Sequence, residues 1–78
     1  MKLTKLGPNQ TEIEIAGGAR VLYSYNTPVA AFVPGRGLCR TEKRWSSTTS
    51  KHINQWLDGA TAEEKPQTFF DTLTGGCL

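Results

Sequence analysis

Polar and apolar residues alternate along four short segments in the first half of the chain. The alternation is strict in Thr-Glu-Ile-Glu-Ile-Ala, where Ile13 and Ile15 fall on one side of a strand and the glutamates on the other. Turn signals with Gly, Pro or Asn separate the segments, and short turns connect antiparallel neighbours. We therefore predict a small antiparallel β-meander of three to four strands over residues 11–44, with candidate strands at 11–16, 20–25, 29–33 and 38–44.

The composition of the segments indicates what lies beside them. Ala30 and Ala31 are small for strand residues, which predicts that a helix packs closely on their strand. The segment at 38–44 is rich in charges and short of apolar groups, as is typical of an edge strand. Residues 1–10 contain the turn signal Gly-Pro-Asn and are predicted to form an N-terminal arm.

The period of the apolar residues changes from two to a helical one after an unbroken run of five Ser and Thr residues. The apolar residues then fall on one helical face, at Ile53, Trp56 and Leu57. Because Ser and Thr cap a helix N-terminus well, we predict an amphipathic helix at 47–58 with Ser47 or Thr48 as its N-cap. An Asp-Gly pair supplies the end of this helix.

A second, shorter helix is predicted at 66–74, because Pro66 suits a first helical position and apolar residues follow it. The elements together predict one α+β domain over residues 1–78, with the amphipathic helix packed on a face of the meander and the short helix at its C-terminal end. Apolar residues make up only 37% of the chain, so its core is expected to be thin. Self-association into a homo-oligomer is one way to add buried surface to such a core.

Basic residues cluster in the middle of the chain. The net charge is only +2, but residues 36–51 contain five Lys or Arg residues and one acid, Glu42. The start of the chain does not resemble a signal peptide and no apolar run is long enough to span a membrane, which predicts a cytoplasmic protein that does not enter a membrane. Cys39 and Cys77 are then expected to be free thiols, with a disulfide between them left open.

Three segments resemble a family of small, uncharacterised bacteriophage and prophage proteins. They are Ser-Tyr-Asn-Thr-Pro-Val-Ala at 24–30, Thr-Glu-Lys-Arg-Trp-Ser-Ser-Thr-Thr-Ser-Lys-His-Ile-Asn-Gln-Trp-Leu at 41–57, and Lys-Pro-Gln-Thr-Phe-Phe-Asp at 65–71. The pattern Thr-Thr-Ser-basic-His-Ile-Asn-x-Trp-Leu is the most specific part of the resemblance. The resemblance implies a viral origin and a location in the host-cell cytoplasm, and it implies no particular activity.

The residue types that could carry catalysis are better explained by structural roles. A Ser–His acyl-transfer site needs a base and an orienting acid that converge on a nucleophile, whereas the hydroxyls near His52 in the sequence suit helix capping. No phosphate-binding glycine motif precedes a helix, and the two cysteines lack the spacing of a metal site. We therefore predict no enzymatic activity, no cofactor and no metal.

Two binding hypotheses follow. The first is a small non-enzymatic accessory protein of phage type that binds an anionic target, either nucleic acid or a nucleotide, through basic and hydroxyl groups where the sheet meets the helix. Its predicted binding residues are Arg40, Lys43, Arg44, Trp45, Ser50, Lys51 and His52. The second is an anti-defence (anti-CRISPR-like) or host-takeover inhibitor that binds a host or defence protein, since Trp, Tyr and Arg often anchor interfaces. Trp45 also fits a structural role, as a staple that packs on the first turn of the helix.

Overall fold

A computed structural model describes residues 2–15 and 17–73 of the chain. In this range six strands form one sheet in the order of the sequence, and two helices accompany it. The elements are β1 (Lys2–Gly7), β2 (Gln10–Glu14), β3 (Arg20–Ser24), β4 (Thr27–Val33), β5 (Gly37–Thr41), α1 (Ser47–Leu57), β6 (Glu63–Lys65) and α2 (Gln67–Leu73). The predicted α+β class is confirmed, whereas three to four strands was too few.

The first five strands pair antiparallel with their sequence neighbours, and for β2 to β5 this is the predicted meander. Residues 1–10, predicted as an arm, instead contain β1, in which Leu3 pairs with Ile13 of β2. The segment at 38–44, predicted as an edge, is covered by β6, which pairs parallel with β5 after the chain has crossed over through α1. The sheet is therefore mixed, and its edges are β1 and β6.

The helices begin and end within one or two residues of the predicted bounds. The N-cap of α1 is Ser46, whereas Ser47 or Thr48 was predicted, and the Ser46 hydroxyl accepts a hydrogen bond from the Thr49 amide at 3.2 Å. Asp58 is the C-cap in the left-handed conformation. Pro66 precedes α2, and the predicted last residue of that helix, 74, lies outside the described residues.

Both faces of the sheet are covered, each by one helix. Ala30 and Ala31 are neighbours in β4 with side chains on opposite faces, and both are fully buried. On the α1 face, Ala30 packs in a cluster with Ile53 of α1; on the α2 face, Ala31 packs in a cluster with Phe70 of α2. The prediction of a helix packed on one face of the sheet was therefore incomplete, because a second helix packs on the other face. The small side chains of the adjacent alanines allow each helix to pack closely against β4.

Candidate functional site

A cavity of about 400 Å³ lies where the end of β5 and the loop after it meet the side of α1. We call it the basic cavity. Five of the seven predicted binding residues line it, namely Arg40, Lys43, Arg44, Trp45 and Ser50. The other lining residues are Thr41, Glu42, Thr49, Ile53, Asn54 and Glu64. Of the predicted set, Lys51 and His52 are not part of its wall.

Arg40 is the half-buried member of the basic group. It pairs with Ala30 of β4 and with Glu64 of β6, which places its side chain on the α1 face of the sheet. Its Nε atom is shielded from water and has no hydrogen-bond partner among the described residues. A buried N–H group without an acceptor costs free energy, and the cost is larger for a charged group. Because the same shielding closes this atom to a ligand, an anion in the cavity could accept its hydrogen bond only after the Arg40 side chain turns toward the cavity.

Acidic side chains also line the basic cavity. Glu42 and Glu64 stand among Arg40, Lys43 and Arg44, so the wall carries a small excess of positive charge. In the described part of the chain, no ion pair joins either glutamate to these bases, and the ion pair that is present is between Lys65 and Glu63. The three bases thus keep their hydrogen-bonding capacity for a ligand, while the two acids limit the total negative charge that the cavity favours.

Trp45 is held in place at the mouth of the cavity. Its indole Nε1 donates a hydrogen bond to Gln67 Oε1 at 3.2 Å, and the Lys43 ammonium lies 4.2 Å from the centroid of its ring. The side chain remains 42% exposed, so it does not act as the buried staple that was one interpretation of the sequence. An exposed ring with a fixed orientation is suited to stacking against a ligand.

Gln67, which sequence reasoning did not single out, anchors this corner. Its Oε1 also accepts a hydrogen bond from the Thr41 hydroxyl at 2.8 Å, and its Nε2 donates to the Pro28 carbonyl at 2.7 Å. The amide therefore joins β4, β5 and Trp45 to the first residue of α2. Gln67 lies 22 residues after Trp45, and no local pattern could have indicated this contact.

A second cavity, of about 300 Å³, adjoins the first. We call it the aromatic cavity, because the rings of Tyr25 and Trp45 form part of its wall. The remaining lining residues are Ser24, Thr27, Val29, Ser46 and Thr49. Trp45 and Thr49 line both cavities, so the two cavities are neighbours with these side chains between them.

His52 belongs to a buried network rather than to the basic cavity. Its Nδ1 lies 2.8 Å from the Ser24 hydroxyl, which lies 3.0 Å from the Thr49 hydroxyl, and His52 is only 6% exposed. The Ser46 hydroxyl donates to Thr49 at 3.3 Å. Within the described residues no carboxylate hydrogen-bonds to His52, so the Ser24–His52 pair lacks the third member of a catalytic triad. The network instead joins β3 to α1.

The remaining chemical groups give no metal site in the described ranges. No cluster of three or more His, Cys, Asp or Glu residues there could hold a metal ion. Cys39 is a buried thiol on the α2 face, and Cys77 lies outside the described residues. Burial raises the pKa of Cys39 above its usual value of 9.0; Glu63 adds to this rise, and Lys65 and Arg36 oppose it. The described helices include none that is long and apolar enough to cross a membrane.

Comparison with known proteins gives a family but no function. A family model matches residues 1–72, and its description is a family of unknown function, DUF8033. No curated protein and no solved structure matches the chain.

Proposed function

We propose that this chain, which belongs to the DUF8033 family of unknown function, is a non-enzymatic accessory protein that binds an anionic target through the basic cavity. The target class is nucleic acid or a nucleotide, and the group that the cavity holds is a phosphate. The phage origin is part of the proposal and rests on the three resembling segments. The observation that carries the proposal is the buried, unpartnered Nε of Arg40.

The chemistry of the cavity wall favours a phosphate. Arg40 offers a planar guanidinium that can donate two parallel hydrogen bonds, and Lys43 and Arg44 add positive charge beside it. Ser50 also lines the cavity, and its hydroxyl provides a neutral donor on the α1 side. A hydrogen bond to a charged group contributes about 1.5–3 kcal/mol, so the donors of Arg40 should account for about ten-fold or more of the phosphate affinity.

Isothermal titration calorimetry with inorganic pyrophosphate at low salt tests this proposal. Arg40→Gln should weaken binding about ten-fold or more, because it removes a charged donor pair. Arg20→Gln is the matched control, since Arg20 is an exposed base of β3 that lies outside the cavity wall. Binding of the wild-type chain should also weaken as salt is added.

Two results would overturn the proposal. One is the absence of binding to pyrophosphate at low salt, and the other is an equal loss for Arg20→Gln and Arg40→Gln. Circular dichroism melting curves show whether Arg40→Gln still folds, and Arg40→Lys, which keeps the charge, should bind with intermediate affinity.

A different observation favours the second hypothesis, inhibition of a host or defence protein by contact with it. The strand β1 has one unpaired edge, and it exposes Leu3 (66%) and Leu6 (45%). An exposed edge with apolar side chains can pair with a strand of another protein. A pull-down from nuclease-treated bacterial lysate should retain a specific protein with the wild type and lose it with Leu3→Asp. Retention of nothing above background would count against this hypothesis.

A further inference from the structure

We infer that the aromatic cavity receives the base of a nucleotide whose phosphate occupies the basic cavity, so that the ligand unit is one nucleotide. This inference rests on the proposed function, because it takes the phosphate position from it. It adds a base-binding part to the phosphate-binding site. Neither the charge pattern of the sequence nor the family match indicates this part.

The positions of the two cavities are the first argument that one ligand occupies both. They are neighbours that share Trp45 and Thr49 as wall residues, and their volumes are about 300 and 400 Å³. Ligand pockets for small molecules range from about 300 to 1,000 Å³, so each cavity is at the lower limit and suits one part of a ligand that passes over the shared side chains. A ligand that fills both must have two chemically different ends, because the two walls differ.

The wall of the aromatic cavity suits a planar, polar ring. Tyr25 and Trp45 are 50% and 42% exposed, so ring surface is available for stacking. Every nucleobase has a π-face, and stacking on an aromatic side chain does not depend on which base is present. Thr27 also lines the cavity, and its hydroxyl can donate to or accept from the edge of a base.

The ring of Trp45 and the backbone of Tyr25 are held in place before any ligand arrives. Trp45 is oriented by its hydrogen bond to Gln67 and by the Lys43 ammonium over its ring. Tyr25 occupies the two-residue turn between β3 and β4 with φ of 59°, and its amide donates to the Asn9 carbonyl at 2.8 Å. Positive φ is unfavourable for a bulky residue, so the surrounding contacts must hold this turn in place. Binding to a preformed site loses less conformational entropy.

The charge of the basic cavity favours a single nucleotide over a long strand. Glu42 and Glu64 share the wall with its three bases, and successive phosphates of a strand would meet these acids. Proteins that hold a strand by its backbone neutralise several phosphates along a continuous basic groove. Here the net positive charge of the whole chain is only +2.

Fluorescence titration of Trp45 in a Trp56→Phe background tests the inference, with AMP, ribose 5-phosphate and an eight-residue deoxyadenosine strand as probes. Trp56 lies outside both cavities and its Nε1 donates to Glu12 at 2.8 Å, so Trp56→Phe is also the control substitution. AMP should bind about ten-fold or more tightly than ribose 5-phosphate, because only AMP carries a base. The strand should bind no more tightly than AMP at equal nucleotide concentration.

The substitution Trp45→Leu, followed by calorimetry, completes the test. It should bring the ratio of the AMP and ribose 5-phosphate affinities to about one; the ratio is compared and not the absolute affinities, because Trp45 also lines the basic cavity. Equal binding of AMP and ribose 5-phosphate by the wild type would overturn the inference while leaving the proposed phosphate site intact. A strand that binds ten-fold more tightly than AMP would overturn the single-nucleotide choice. Failure of both phosphate compounds to bind would instead overturn the proposed function, and the inference with it.

Discussion

The hydroxyl of Ser24 lies 2.8 Å from Nδ1 of His52, and this contact joins the end of β3 to the middle of α1. Ser24 also lines the aromatic cavity, so the same side chain belongs to the core and to the floor of the proposed site. His52 was predicted to bind a ligand, whereas its contact with Ser24 indicates that it positions α1 on the sheet.

Ser24→Ala should destabilise the protein by about 1–3 kcal/mol, because it leaves the buried Nδ1 of His52 and the Thr49 hydroxyl without this partner. Urea denaturation followed by circular dichroism gives the free energy of unfolding. Ser47→Ala, at an exposed position in the first turn of α1, is the matched control and should change stability by less than about 0.5 kcal/mol. Equal effects of the two substitutions would contradict a structural role for the network.

Asp58→Asn should stabilise the protein by about 0.3–1 kcal/mol. Asp58 caps the C-terminus of α1 in the left-handed conformation, with φ of 51°, where its carboxylate meets the negative end of the helix dipole. Asparagine accepts this conformation and carries no charge. The melting temperature should therefore rise by a few degrees, and the gain should shrink at high salt. A lower melting temperature for Asp58→Asn would show that the carboxylate has a favourable contact.

The buried thiol of Cys39 should make the protein less stable in alkaline solution. Burial raises the pKa of Cys39 in the folded state above the usual 9.0, so the folded chain holds this proton more tightly than the unfolded chain. The stabilisation is complete below pH 9.0 and is lost as pH rises toward the folded pKa, with a slope of at most about 1.4 kcal/mol per pH unit.

The free energy of unfolding of Cys39→Ala, measured between pH 8 and pH 10.5, should fall less steeply than that of the wild type. The variant is expected to be less stable overall because the side chain is smaller, so the slopes are compared and not the absolute values. Parallel slopes for the two proteins would show that another group causes the alkaline loss.

Gln67→Leu should weaken nucleotide binding although Gln67 lines neither cavity. The substitution removes the acceptor of Trp45 Nε1 and of the buried Thr41 hydroxyl, so the ring loses its fixed orientation. We expect an AMP affinity several-fold lower and a fluorescence anisotropy of Trp45 that is reduced in the free protein. The anisotropy separates a loosened ring from a general loss of stability, and an unchanged anisotropy would contradict the positioning role.

The strands and helix that carry their own pattern could be predicted from the sequence. Ile13 and Ile15 alternate with glutamates, and Ile53 and Leu57 recur at helical spacing, so local chemistry identifies β2 and α1. The edge strands lack such a signal: β1 has exposed leucines without strict alternation, and β6 reads Glu-Glu-Lys. Each becomes a strand because its neighbour offers backbone partners, which is a tertiary effect.

The candidate site likewise combines residues that a local sequence pattern predicts with residues that only tertiary contacts bring in. Arg40, Lys43 and Arg44 could be predicted to lie in one site because they are close along the chain and come just before one helix. His52 and Lys51 follow Ser50 directly, but each step along a helix turns the side chain by about 100°, which carries them out of the cavity. Tyr25 reaches the site only through the pairing of β3 with β4.

The most direct test of the basic cavity is the ¹H–¹⁵N resonance of Arg40 Nε during a titration with AMP at low salt. This N–H has no hydrogen-bond partner within residues 2–15 and 17–73, so a bound phosphate should move its resonance strongly and saturably. Arg20 Nε, outside the cavity wall, is the internal reference and should stay in place. If AMP binds and the Arg40 Nε resonance does not move, the basic cavity is not the phosphate site and the account is contradicted.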